Sequence, residues 1–442
     1  MKRALLRFFT FLLFAFSLIL IFGVFSGAED VIPENAPSLE LARGFALYNI
    51  ENDTYIISKN ASLSVDPAST VKIMSGLIIC ESLSGREAET VTVTSEMIAG
   101  TKGKSFGLVP GNTLTVKDLM ICAFSGGYND AVNVLACLVA GNTESFLKLM
   151  NERAELLGLR GTYYANATGL DDPLMSTTLS DTVKLAAAAS RIKLFLDVSS
   201  YFTYTVSFGD TSQRTVYGSN LILDKNSAYF CRSARGMNSG MTDGGGACLV
   251  TYATHGGAEY IAVAMGCPDS DGRFALVQDA LQYAYDNYSY KVYLEKGSGV
   301  GSVDIALSDA GGSVSAVLLE DLVYFSRNGE LFEDFKIVIC FYSDDLKAPV
   351  TSNDRIGYCA LWSGDTLYSV AEIGVKNDVP KSLFLSYIDS VQRYITGRAF
   401  LSTLAFSVIL TLLSVFLPRV TLGIRQKRRT HVRTRDGFKL KK

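Results

Sequence analysis

Histidine is almost missing from this chain: there are two in 442 residues, His255 and His431, the second within a basic C-terminal tail. A multi-histidine metal centre is therefore excluded, and any hydrolysis must proceed without a metal and without a histidine base. The eight cysteines, at 80, 122, 137, 231, 248, 267, 340 and 359, stand in mostly apolar settings with no zinc-site spacing. An exported location permits disulfides, but the pairing is left open. No glycine-rich stretch has the order of a phosphate or dinucleotide loop; "GGGACL" follows Thr242-Asp243 and leads into a strand-like run, which suits a hairpin. Repeats and low-complexity tracts are absent too. No cofactor is expected.

Basic residues are scarce between the ends. The chain holds 41 Lys and Arg against 44 Asp and Glu, and setting aside the thirteen bases and one acid of the two termini leaves 28 against 43 for residues 8–417. Phosphate binding needs a basic surface, so a nucleic-acid partner is excluded. The ends themselves are distinctive. Lys2, Arg3 and Arg7 precede an apolar run from Phe8 to Phe25 and the small residues Ser26, Gly27 and Ala28, the pattern of a signal peptide (1–28) or of an N-terminal anchor. Residues 399–417 carry no charge over 19 positions, enough at ~1.5 Å per residue to cross most of the ~30 Å hydrocarbon layer. Ten Lys and Arg follow in 418–442. Positive charge outside both apolar segments predicts a single-pass arrangement, with the bulk of the chain extracytoplasmic and the tail cytoplasmic beside anionic membrane lipid.

Between the ends the periodicity changes once. "LARGFALYNIENDTYIISKN" predicts two strands joined at "ENDT", and Pro67 precedes a helical run, "ASTVKIMSGLIICESL". Helices follow from Thr115, on either side of Gly141 and Asn142, and over "TTLSDTVKLAAAASRI". Strand-like runs flank "RGMNSGMTDGGGACLV", and "DGRFALVQDALQYAYDNYS" closes the unit with a helix. The first domain, 35–285, thus reads as α+β, helices packed on an antiparallel sheet with an inserted helical cluster. Short runs separated by Gly, Asn and Asp turns then predict a small β-domain over 290–380, and 382–398 predicts a helical stalk before the membrane segment.

One local pattern carries chemistry. If Ser69 opens its helix, Lys72 lies three positions on and nearly on the same face. A serine hydroxyl becomes a nucleophile when a neighbour takes its proton, and a lysine can do so if burial or nearby positive charge lowers its pKa. The helix start also offers free N–H groups to a developing oxyanion.

The setting of that pattern is more specific than the pattern. "APSLELARGFALYNIENDTYIISKNASLSVDPASTVKIM", "GLVPGNTLTVKDLM", "GLRGTYYANATGLDDPLMSTTLSDTVKLA", "GGAEYIAVAMGCPDSDGRF" and "LKAPVTSNDRIGYCALW" occur in an order that resembles the serine D-Ala-D-Ala carboxypeptidases, the low-molecular-weight penicillin-binding proteins. The resemblance covers about 35–375 and implies the penicillin-binding/β-lactamase-like transpeptidase fold with a β-domain behind it. It implies Ser69 as nucleophile and Lys72 as general base. The family's second motif, S-x-N, falls on "AFSGGYNDA", where Asn129 keeps the asparagine, Gly127 replaces the serine, and Ser125 is the candidate to supply the hydroxyl by a changed loop path. Its third motif, K-T-G, falls on "MNSGMT", where Asn238 stands at the lysine, Ser239, Gly240 and Thr242 are the expected substrate-binding residues, and the Met241 N–H is the second oxyanion donor. The resemblance implies peptidoglycan stem peptides as substrate, acylation by β-lactams, and no cofactor. Two motif departures leave a second reading, a catalytically impaired member that binds wall peptides in a structural or morphogenetic role; a β-lactamase is the remotest of the three.

Overall fold

A computed structural model describes residues 30–436 apart from 270, 310–312, 331–333 and 344. The segment read as a signal peptide or anchor lies outside them, as do the last six residues of the basic tail. The chain forms two compact units, one running to Lys291 and taking in Phe325–Glu330, the other made of Val292–Tyr324 and the chain from Leu331 onward.

The first unit is built on five antiparallel strands: β1 (Gly44–Asn49), β2 (Thr54–Lys59), β3 (Ala234–Thr242), β4 (Gly246–His255) and β5 (Ala258–Cys267). Their order is β2-β1-β5-β4-β3, which leaves β3 at an edge. The "ENDT" turn joins β1 to β2 with Asp53 at φ +50°, a left-handed conformation that Asp tolerates, and Tyr48 Oη donates to its carboxylate. Alternation along these strands does not separate a wet face from a dry one. All six residues of β1 are buried. In β5, Ile261, Val263 and Met265 point into one core and Tyr260, Ala262 and Ala264 into another, because helices cover both faces of the sheet. Each large apolar side chain so buried contributes about 1.5–3 kcal/mol.

One face packs on α1 (Val71–Ser82), α2 (Val116–Phe124), α3 (Asn129–Ala140), α4 (Thr143–Leu156), α5 (Leu179–Ser190) and α6 (Lys193–Ser199). The other packs on α7 (Gly272–Asn287). The threonine caps read from the sequence form as hydrogen bonds, Thr115 and Thr178 accepting from the N–H groups of Asp118 and Asp181, and Asn142, read only as a helix break, caps α4 by accepting from the Ser145 N–H. Helix α1 runs through the middle, with ten consecutive residues from Val71 to Cys80 buried. It approaches α6 so closely that a Cβ on Gly76 would overlap the Phe195 ring.

The second unit holds β6 (Gly299–Ala306), β7 (Ser313–Leu318), β8 (Phe335–Phe341), β9 (Leu346–Lys347), β10 (Gly357–Ser363) and β11 (Thr366–Val375) in the order β8-β10-β11-β7-β6-β9. Pairing is antiparallel except between β6 and β9, and Leu318, Leu361 and Ile373 lie in its core. Ser382 caps α8 (Leu383–Thr396), none of whose residues is buried. Helix α9 (Arg398–Asp436) continues past Pro418 into the basic tail, beyond the 417 boundary read from hydropathy. Its stretch Phe400–Leu422, with a mean hydropathy of 2.3, is long and apolar enough to cross a membrane by length and composition. All eight cysteines are free thiols, and burial pushes that of Cys248 up to about 11.

Candidate active site

The chain enters α1 through a tight turn, Ala68–Thr70, that carries Ser69 at the helix start. Ala68 has φ +46°, outside the comfortable range of an L-residue, and several contacts hold it there. Its N–H donates to Asp66 Oδ1 (2.8 Å), Thr70 Oγ1 donates to the Pro67 carbonyl (2.6 Å), and Gly169, itself at φ +80°, presses on the Ala68 carbonyl where no Cβ would fit. Gly240 on β3 closes the opposite side: a Cβ there would overlap Ser69 Cβ and Oγ. Both glycines answer a close backbone approach. Ser69 itself is half-buried.

Lys72 is 1% exposed, and its Nζ lies 3.5 Å from Ser69 Oγ while donating to the Thr168 carbonyl at 2.6 Å. Burial, with the positive charge of Lys104 adding to it, lowers its pKa to about 7. A large fraction is therefore neutral near pH 7 and can accept a proton.

Asn129 opens α3. Its Nδ2 donates to the Lys102 carbonyl (2.8 Å) and its N–H to the Lys104 carbonyl (2.7 Å), while the next residue, Asp130, accepts from Ser105 Oγ and the N–H groups of Phe106, Gly107 and Leu108 at 2.6–3.0 Å. The first turn of α3 thereby pins the loop that carries Lys104. The Lys104 ammonium sits 4.9 Å from the Tyr128 ring centroid, and that ring packs on Phe106, which is a packing role for Tyr128.

Ser125 does not take the place expected for it. Its hydroxyl donates to the Val198 carbonyl (2.8 Å) and accepts from the Tyr201 N–H (3.0 Å), so the buried side chain fastens the loop to the end of α6. A buried hydroxyl satisfied twice by backbone has no reason to turn toward the cleft. Gly127, at φ +73°, provides no side chain.

On β3, Asn238 and Ser239 are 2% and 3% exposed and pair across the sheet with Val250 and Leu249. Thr242 Oγ1 accepts from the Gly245 N–H (3.0 Å) and so shapes the hairpin turn, while the Met241 side chain is exposed and its backbone follows Gly240 directly. Arg273, in the first turn of α7 and 6% exposed, donates from Nε to Ser239 Oγ (3.2 Å) and stacks on Phe274. Arg273 thus brings a cation to the residue next to position 238. Asn129 Oδ1, Asn238 Oδ1 and Arg273 Nη1 are buried with no hydrogen-bond partner among the described residues. Arg153 Nε is in the same state beside Glu81, and buried polar atoms are rarely left so.

Neither Lys104 nor Arg273 belongs to a motif that the sequence displays. Each lies in a stretch with turn signals, "TKGKSFG" and "DGRF", that says nothing of which way its cation points. A cavity of about 310 Å³ adjoins Asn129 and Thr168; a larger one of about 550 Å³ beside Tyr48, Arg160 and Lys184 shares no residue with the serine–lysine pair.

A helix-covered antiparallel sheet with serine and buried lysine one turn apart at the start of a central helix is the architecture of the serine acyl-transferring enzymes that work without histidine. Within that class the chain belongs to the D-alanyl-D-alanine carboxypeptidase family, whose profile matches residues 36–269. The profile of the penicillin-binding protein 5 C-terminal domain matches residues 288–381. The D-alanyl-D-alanine carboxypeptidase DacF of Bacillus subtilis is 26% identical over 344 residues, spanning 77% of this chain and 86% of that protein. DacC of Escherichia coli is 29% identical over 272 residues, spanning 58% and 64%. Among solved structures, penicillin-binding protein 5 of Haemophilus influenzae superposes with a TM-score of 0.59 at 23% identity, covering 79% of this chain and all of that one. PBP3 of Streptococcus pneumoniae, described as a peptidoglycan synthesis regulatory factor, reaches 0.64 at 17% identity, covering 76% and 99%.

Proposed function

We propose that this protein is a serine D-Ala-D-Ala carboxypeptidase that removes the terminal D-alanine of peptidoglycan stem pentapeptides through an acyl-enzyme on Ser69, and that penicillins acylate the same serine. The observation that carries this reading is the buried Lys72, its Nζ 3.5 Å from Ser69 Oγ and its pKa lowered to about 7. Lys72 takes the Ser69 proton as Oγ attacks the carbonyl between the last two D-alanines, and its bond to the Thr168 carbonyl keeps Nζ aimed as the proton moves. The Ser69 and Met241 N–H groups receive the oxyanion. Ser239, with Arg273 bonded to it, and Thr242 bind the terminal carboxylate, and a charged guanidinium is well suited to that task. Asn129 and Asn238 offer amide oxygens to the N–H groups of the peptide.

The chain is held to the membrane by α9, with the two compact units on the outer side and the basic tail against anionic inner-leaflet lipid. The reading as an impaired wall-peptide binder draws its support from Gly127, Asn238 and the turned-away Ser125. One experiment separates the two: covalent labelling by a fluorescent penicillin, compared with Ser69→Ala, followed by D-alanine release from a pentapeptide. Serine-dependent label with release supports the enzyme; no label after long incubation sinks it, and label without release leaves a penicillin-binding protein that is not a carboxypeptidase.

A further inference from the structure

Cleaving an amide takes more than a nucleophile and an oxyanion site, because the departing nitrogen leaves only once it has received a proton. The two second-motif positions where a serine was sought supply no hydroxyl for it: Gly127 has no side chain, and Ser125 is committed to the backbone at Val198 and Tyr201. Another hydroxyl stands there. Ser219 Oγ lies 3.8 Å from the point that a Cβ on Gly127 would occupy, in the space that a side chain at 127 would enter.

Ser219 comes from a segment about ninety positions along the chain, yet it is tied to both walls. Its N–H donates to the Ser125 carbonyl (3.2 Å) on the second-motif loop, and its hydroxyl donates to the Ser239 carbonyl (3.1 Å) on β3. That carbonyl is bonded to Gly240, the residue lying directly against Ser69 Oγ. The neighbouring Asn220, buried and donating to the Gly236 carbonyl (2.9 Å), fixes the segment, while Ser219 remains half-buried.

We propose that Ser219 is a catalytic hydroxyl of this site, delivering the proton to the leaving amine in place of the side chain missing at Gly127. The proposal rests on the carboxypeptidase reading above. During acylation the Ser69 proton passes to Lys72 Nζ, the Ser69 Oγ–carbon bond forms and the carbon–nitrogen bond breaks. The departing D-alanine nitrogen takes the Ser219 hydroxyl proton, and Ser219 regains one from the Lys72 ammonium, directly or through a water of the cleft. The products are an ester on Ser69 and a neutral amine, with Ser219 and Lys72 restored.

The test uses the full chain in detergent and two substrates: an acylated D-Ala-D-Ala peptide, and its thioester analogue in which sulfur replaces the leaving nitrogen and departs without prior protonation. Ser219→Ala is expected to slow D-alanine release from the peptide about 10²-fold or more while leaving thioester cleavage little changed, and Ser219→Thr to retain most of the peptide activity. Peptide turnover by Ser219→Ala equal to wild type overturns the proposal, and so does equal loss on both substrates, which marks a packing role. A wild type that cleaves only the thioester overturns the relay and leaves Ser69 as nucleophile. A wild type that cleaves neither and takes no penicillin label overturns the carboxypeptidase reading as well.

Discussion

Titration of Lys72 offers the sharpest quantitative check on the mechanism. Only the neutral amine can take the Ser69 proton, and burial with the Lys104 charge holds the pKa at about 7. Roughly a tenth of the lysine is then neutral at pH 6 and about nine-tenths at pH 8, so the second-order rate of penicillin acylation should rise about tenfold between them and level off. A lysine of ordinary pKa would be neutral in about one molecule in 2,500 at pH 7, and the rate would climb about a hundredfold over the same interval with no plateau. Lys104→Gln removes the second cause of the lowering and should move the limb to higher pH, leaving burial, the larger cause, in place. Lys104 is exposed within the loop that precedes α2, so the substitution leaves the core intact. Ionic strength must be held constant because salt screens the Lys104 effect. The same lowering has a stability signature. Between about 7 and 10.5 the unfolded chain binds the proton that the folded one releases, so this residue makes stability rise with pH across that window and is fully unfavourable below it. Acylation that keeps climbing to pH 9, or a Lys104→Gln limb that stays put or moves down, would refute the assignment of Lys72 as base.

Three further substitutions address the walls of the cleft. Gly240→Ala puts a methyl group where Ser69 Cβ and Oγ lie, and displacing the nucleophile by about 1 Å should lower penicillin labelling about 10²-fold in a protein that still melts cooperatively; labelling at the wild-type rate refutes the close approach. Ser125→Ala loses the bonds to Val198 and Tyr201 and should lower stability in urea by about 1–2 kcal/mol, with D-alanine release per folded molecule unchanged; a selective loss of turnover would return Ser125 to the active site. Arg273→Gln should weaken binding of peptides with a free terminal carboxylate about tenfold or more and affect C-terminally amidated peptides much less; equal effects on both would mean that Arg273 acts through packing on Phe274 alone.

What the sequence determined by itself was mostly local. Strand runs such as "EYIAVAMG", the helix caps at Thr115 and Thr178, the "ENDT" turn and the serine and lysine one helical turn apart are short-range patterns, governed by backbone geometry and neighbouring side chains, and each is where the pattern put it. The family could be recognised for a related reason, since several such patterns in one order are far more specific than any one of them. Only the tertiary structure decided the rest. It placed α7 on the outer face of the sheet, turning apparent strand amphipathicity into two cores, and it buried Lys72, which lowers its pKa in a way no spacing encodes. It turned Ser125 toward α6, because two backbone partners satisfy a buried hydroxyl better than an open cleft does. Arg273 was brought to Ser239 from the first turn of α7, and Ser219 to Gly127 from a distant loop, and in neither case does the local sequence say which way the side chain points. The direction in which those side chains point follows from the packing of α7 and β3 around the Ser69 turn, a long-range property of the whole unit.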